Sequence, residues 1–141
     1  MSRHIEDLHV IVQEKCKAHI AACAVAGIQL IITSTYRDEA EQAALYAQGR
    51  TTPGRIVTRA KPGQSMHNYR LAYDVVPLRN GKPVWGTTAP EDKALWLKVG
   101  ELGVAQGLEW AGNWKKFREY PHFQYTGGHP LSYFQSGGTL S

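Results

Sequence analysis

Leu71-Ala72-Tyr73-Asp74-Val75-Val76-Pro77-Leu78-Arg79-Asn80-Gly81-Lys82-Pro83-Val84-Trp85 is the run that decides the fold. Branched and aromatic residues from Leu71 to Leu78 predict a strand. Asn80-Gly81 is the pair that most readily takes the left-handed backbone of a tight hairpin turn, so Pro83-Val84-Trp85 should return antiparallel to that strand. Upstream, Arg50 to Gln64 carries Pro53, Gly54, Pro62 and Gly63 with no helical period, and reads as a long loop of the kind that often serves function.

Further out, helices and strands alternate. From Ile5 to Ala26 the apolar residues Ile5, Leu8, Val12, Cys16, Ile20 and Cys23 recur every three or four positions, which predicts an amphipathic helix ending near Gly27. Ile28 to Thr33 suits a buried strand, and Ala-rich Asp38 to Gln48 suits a second helix closed by Gly49. Pro90, Glu91 and Asp92 open a third helix, with Gly103 and Gly107 closing it. Leu108–Trp110 and His122–Tyr125 are short candidate strands, and the Gly- and Ser-rich tail from Thr126 is expected to pack loosely. The pattern implies an α+β fold over residues 1–141, one small domain with helices packed on one side of a mainly antiparallel sheet.

The 141 residues are 43% hydrophobic and 20% charged, which excludes a disordered or collagen-like chain. No apolar run approaches the roughly 18 residues of a membrane span, and the first residues lack a signal-peptide core. Synthesis in the cytosol without stable membrane insertion is the expectation. The net charge of +4 favours anionic partners, but the basic residues are scattered, so nucleic acid is not expected. Cys16 and Cys23, seven residues apart on one helix, would stand about 10 Å apart, beyond disulfide reach, and read as buried free thiols.

Chemistry concentrates in two places. His67, Asp74 and His122 offer the three nitrogen or oxygen ligands that a catalytic zinc needs, with one position left open for water. His67 and Asp74 are an odd number of residues apart, so they share a face only if Asn68-Tyr69-Arg70 bends the chain. Glu119, three residues before His122, is a carboxylate that could take a proton from the attacking water and return it to a leaving amine. The plainer alternatives are a surface imidazole bonded to a turn carboxylate, and a solvated Glu119 beside Arg118. Arg37 could equally cap the second helix or pair with Asp38 or Glu39. The four tryptophans read as core, although Trp110 and Trp114 flank the run leading to Glu119.

At these residues the chain resembles a known family. Gln64-Ser65-Met66-His67-Asn68-Tyr69-Arg70-Leu71-Ala72-Tyr73-Asp74 is similar to the Ser-x-His-x-x-Gly-x-Ala-x-Asp motif of the M15 peptidases, the zinc enzymes that include D-Ala-D-Ala carboxypeptidases and phage L-alanyl-D-glutamate endolysins. Glu119-Tyr120-Pro121-His122-Phe123 resembles their second motif. Thr33-Ser34-Thr35-Tyr36-Arg37, Gln42, Leu45, Tyr46 and Gly49-Arg50 follow in the family's order, and the resemblance runs from Ile28 to Tyr125.

The resemblance implies Zn²⁺ held by His67, Asp74 and His122, with Glu119 as acid and base. Arg37 would polarise the scissile carbonyl or hold a carboxylate, and Ser65 and Gln42 would contact substrate. One position departs from the motif: its Gly is Arg70 here, which strains the backbone if φ is positive. The implied activity is cleavage of the L-alanyl-D-glutamate bond of the peptidoglycan stem peptide by a monomeric endolysin. Such an enzyme would accumulate in a host cytoplasm and reach the wall or periplasm with a holin-type partner. A D-Ala-D-Ala carboxypeptidase or dipeptidase, and a non-catalytic wall-binding module, are the alternatives.

Overall fold

The computed structural model describes all 141 residues, Met1–Ser141. Its helices are α1 (Val10–Val25), α2 (Glu39–Ala47), α3 (Pro90–Val104) and α4 (Leu131–Gln135). Its strands are β1 (Leu30–Ser34), β2 (Ala72–Arg79), β3 (Lys82–Pro83), β4 (Glu109–Trp110) and β5 (His122–Gln124). All pairings are antiparallel in the order β1-β2-β5-β4, with β3 closing the Asn80-Gly81 hairpin on β2. The α+β architecture is thus the one the hairpin implied.

Strand alternation divides the sheet into two faces. Tyr73 pairs with Phe123, which pairs with Trp110, and these rings point together into the core with Val75. Helix α1 contributes Val12, Cys16 and Cys23 to that core, and α3 contributes Val99. Tyr73 and Trp110 each lie nearly parallel to Phe123, at 5.8 and 6.3 Å between centroids. Asp74 pairs with both Ser34 and His122, and all three belong to the opposite face.

One core polar group is bound on both sides. His19 is fully buried, with Nε2 2.8 Å from the Val99 carbonyl and Nδ1 2.7 Å from the Tyr73 hydroxyl. A carbonyl only accepts, so Nε2 carries the proton and Nδ1 receives the hydroxyl's. Burial is the main cause that pushes its pKa below the ordinary histidine value. Cys16 and Cys23 are buried free thiols, as the spacing implied.

Several element boundaries differ from expectation. Ile5–Asp7 is a separate 3-10 turn, and α1 starts only after His9, whose Nδ1 caps the helix by accepting from the Ile11 N–H. The strand expected from Ile28 begins at Leu30. Gly103 does not close α3 but lies within it, because a Cβ there would run into the Phe123 ring and His19. The tail is not loose: α4 buries Phe134 near Tyr69, and Gln135 donates to the Gly63 carbonyl at 3.1 Å.

Two stability outcomes follow from this packing. Gly103→Ala should cost about 1–3 kcal/mol by overpacking, read as a lower urea midpoint with an unchanged slope. His19 is held neutral in the fold, so below about pH 6.5 the unfolded chain binds more protons there. Its contribution is complete above that pH and is lost as pH falls. A His19→Gln variant, less stable at pH 7.5, should therefore lose less stability than the parent between pH 7.5 and 5.5; equal losses would exclude the role.

Candidate metal centre and cleft

Three segments carry the site. His67 lies in a 3-10 turn, Met66–Tyr69, capped by the Ser65 hydroxyl, which accepts from the His67 N–H at 3.2 Å. Arg70 ends that turn in the left-handed region, φ 65°, and redirects the chain into β2. This is the bend that brings His67 and Asp74 onto one face. Register then sets Asp74 beside His122, while the His122 N–H donates to the Glu119 carbonyl and ties that segment to β5.

The motif Gly is replaced by Arg at a position where φ is indeed positive, at a cost of about 1–2 kcal/mol. Contacts offset the strain. The Arg70 guanidinium lies 3.9 Å from the Tyr36 ring centroid and donates to the Asp7 carbonyl at 2.8 Å.

One ligand atom from each of His67, Asp74 and His122 falls within 4.8 Å of the others. His67 Nε2 and His122 Nδ1 each stand 3.2 Å from Asp74 Oδ1. The outer nitrogens identify the protons. His67 Nδ1 is 2.7 Å from the Thr35 carbonyl, which can only accept, so it carries a hydrogen. His122 Nε2 is 2.7 Å from Gln124 Oε1, while Gln124 Nε2 donates to Glu109 Oε2 at 3.4 Å, so the amide presents its oxygen to the imidazole. With the outer hydrogens so placed, two inner ring nitrogens and a carboxylate oxygen converge on one point, an arrangement that a divalent cation would satisfy. The donor set of two imidazoles and a carboxylate suits zinc, and the outer partners lock each tautomer for it.

Charge in the site follows the same logic. Burial raises the Asp74 carboxyl, but contacts to His67 and His122 outweigh it and hold the group well below the usual range. Burial lowers His67, and Asp74 only partly opposes it. For His122, burial is outweighed by the hydrogen bond and charge of Asp74, and the net direction is upward. Arg37 Nη2 donates to Asp74 Oδ2 at 3.1 Å, so each carboxylate oxygen has its own role.

His67, His122 and Arg37 line a cleft of about 450 Å³ with Ser65, Trp114, Phe117 and Glu119, and Asp74 borders an adjoining hollow that Glu119 also lines. Glu119 is exposed as a residue, lines three concavities and makes no side-chain hydrogen bond in the chain. Loss of water there is the main cause that raises its pKa, against the pull of His122 and Arg37. Gln42, expected to meet substrate, is fully buried beneath the cleft. Its amide accepts from Arg37 at 3.4 Å and donates to the Ala60 carbonyl at 2.8 Å. Ser65, mostly buried, borders the cleft while capping the His67 turn.

Thr35, Gln124 and Glu109 are the supporting residues absent from the sequence reading. Gln124 carried a signal, since two residues along a strand is the same face as His122. The Thr35 main-chain carbonyl carried none.

Comparison with known proteins places the chain in a family. A family model described as D-alanyl-D-alanine carboxypeptidase, of the M15 peptidases, matches residues 58–125. The peptidoglycan L-alanyl-D-glutamate endopeptidase CwlK of Bacillus subtilis (strain 168) is 43% identical over 122 residues, 84% of this chain and 73% of that protein. Among solved structures, the Serratia marcescens L-Ala D-Glu endopeptidase ChiX aligns with a TM-score of 0.59 and 22% identity, over 86% of this chain and 83% of its own. The LD-carboxypeptidase LdcB gives 0.68 and 21%, over 92% and 64%. The vancomycin-resistance D,D-pentapeptidase VanY, solved with Zn(II), gives 0.63 and 15%, over 92% and 78%. These structures share the fold.

Gln124→Ala frees the outer proton of His122 and should weaken Zn²⁺ binding about 10–100-fold, measured by competition with a chromophoric chelator. Unchanged affinity would remove Gln124 from that role.

Proposed function

The chain belongs to the M15 peptidase family, and from that premise we propose that it hydrolyses the L-alanyl-D-glutamate bond of peptidoglycan stem peptides, with Zn²⁺ held by His67, Asp74 and His122. One observation carries the reading: three ligand atoms converge within 4.8 Å, and two of their residues, His67 and His122, line the cleft that the uncommitted Glu119 also lines. The choice of bond is supported by the activity named for the relative that is 43% identical.

Zinc held by His67, Asp74 and His122 would supply an electrophile able to acidify water and polarise the scissile carbonyl. The chain's own groups do the rest. Glu119 accepts the proton of the attacking water and delivers it to the departing amine as the carbon–nitrogen bond breaks. Burial raises its pKa above that of a free glutamate, which makes it a better proton acceptor than an ordinary carboxylate. Arg37, fixed by Asp74, Ser34 and Gln42, presents positive charge to the oxygen that becomes negative during attack. Ser65 keeps the His67 turn in place.

The same reading makes residues 1–141 one monomeric lytic unit of the endolysin type, made in a host cytoplasm and released to the wall by a holin-type partner. No helix is long and apolar enough to cross a membrane. D-alanine release is the second reading, favoured by the description of the matching family model.

Mass spectrometry of products from digested peptidoglycan separates the two: new N-terminal D-glutamate for the first, free D-alanine for the second. Glu119→Gln should lower kcat about 10²–10⁴-fold while Zn²⁺ affinity stays within a few fold. Retained turnover in that variant would overturn the mechanism.

A further inference from the structure

Two guanidiniums line the main cleft, and their situations differ. Arg37 makes a hydrogen bond from each of its nitrogens: Nε with Ser34 Oγ at 3.1 Å, Nη1 with Gln42 Oε1 at 3.4 Å, Nη2 with Asp74 Oδ2 at 3.1 Å. Arg59 makes no hydrogen bond or ion pair in the chain. Its guanidinium rests on the Phe117 ring, 4.2 Å from the centroid. A guanidinium on an aromatic face keeps its in-plane N–H donors free, the fork that matches a carboxylate.

The pair is built rather than incidental. Phe117 is 59% exposed, stacks on no other aromatic ring and holds φ 57°. A bulky residue there costs about 1–3 kcal/mol, and core packing offers nothing in return. Arg59 sits on a long exposed loop, yet its two neighbours are tied to one buried side chain. Gln42 Nε2 reaches Ala60 O at 2.8 Å and Thr58 Oγ1 at 3.4 Å, and Arg50 holds the Thr58 carbonyl at 3.1 Å. Arg59 and Phe117 also line the smaller hollow behind the main cleft, and Glu119 lines both.

We propose that Arg59, seated on Phe117, reads a substrate carboxylate beside the cut bond, so that peptides with a free glutamyl carboxyl bind in preference to those in which it is amidated. The inference rests on the reading of this cleft as a stem-peptide site. A glutamyl residue within a peptide uses one of its two carboxyls for the chain. The other is the anion that an unpaired guanidinium lining the same cleft as Glu119 can recognise, while Arg37 already pairs with the Asp74 carboxylate.

The test uses the zinc-loaded Glu119→Gln protein and calorimetric titration. Two probes are needed: N-acetyl-L-Ala-D-Glu-L-Lys amide, joined through the glutamyl γ-carboxyl, and the same peptide with the glutamyl α-carboxyl amidated. The carboxylate form should bind about 10–100-fold more tightly, the worth of a charge-assisted hydrogen bond. Arg59→Gln should bring the ratio to about one. Phe117→Ala should lower it and Phe117→Tyr should keep it, which a merely structural Phe117 would not do.

A ratio near one with Arg59 present, a ratio surviving Arg59→Gln, or no binding of either peptide overturns the inference. Digestion of the carboxylate peptide by the protein with Glu119 intact reports separately on the proposed function. Discrimination in binding without cleavage leaves Arg59 as the reader and removes the hydrolytic reading; cleavage without discrimination does the reverse.

Discussion

Everything at the centre depends on the two-residue alternation of β2. Tyr73 must face the helices for Asp74 to face the cleft, and a slip of one residue would exchange them. Such a slip would bury a carboxylate with no partner, a penalty of several kcal/mol, and expose a ring that now stacks on Phe123. Tyr73 is further pinned by its hydroxyl, which His19 accepts deep in the core. The position of a charged side chain on the open face is thus set from the opposite side of the sheet. Pairing on both edges of β2 completes the constraint, since Asp74 meets Ser34 on one side and His122 on the other.

Given that register, the site is organised by where protons cannot be. The Thr35 carbonyl and the Gln124 amide oxygen each require a hydrogen on the outward nitrogen of an imidazole, which turns the inner nitrogens toward Asp74. Both inner nitrogens stand 3.2 Å from Asp74 Oδ1, and a bound cation would need all three atoms as its ligands. Arg37 neutralises only the other oxygen, Oδ2, and so leaves this need unmet. The preference for a metal is therefore a property of the second layer of residues as much as of the ligands.

That second layer is also where the sequence stopped being informative. The hairpin at Asn80-Gly81 and the opening of α3 at Pro90 were legible because local chemistry decides them. His67, Asp74, His122 and Glu119 were legible through their motif context, whereas spacing alone left the turn between His67 and Asp74 open. Gly103 was misread as a helix terminator because nothing local reveals that Phe123, twenty residues on, occupies its Cβ space. The tail misled for a similar reason: α4 is short and flanked by glycines, and only tertiary contact with Tyr69 and Gly63 stabilises it. Gln42 shared its place in the order of family residues with Arg37, but order cannot separate a side chain on a cleft from one beneath it.

Backbone strain joins these threads. Apart from Asn80 in its hairpin, the non-glycine residues with positive φ are Arg70 and Phe117, and both stand just ahead of segments that deliver site residues. Arg70 turns the chain from the His67 helix into β2, and Phe117 precedes Glu119 on the approach to β5. The cost at Arg70 is offset inside the fold by Tyr36 and the Asp7 carbonyl. At Phe117 the corresponding partner is Arg59, on the far loop across the cleft. One strained residue is compensated by contacts that stabilise the scaffold, the other by a contact that holds an unpaired cation at the mouth of the site. Since Gln42 supports both Arg37 and the residues flanking Arg59, the position of one arginine is mechanically linked to that of the other through a single buried amide.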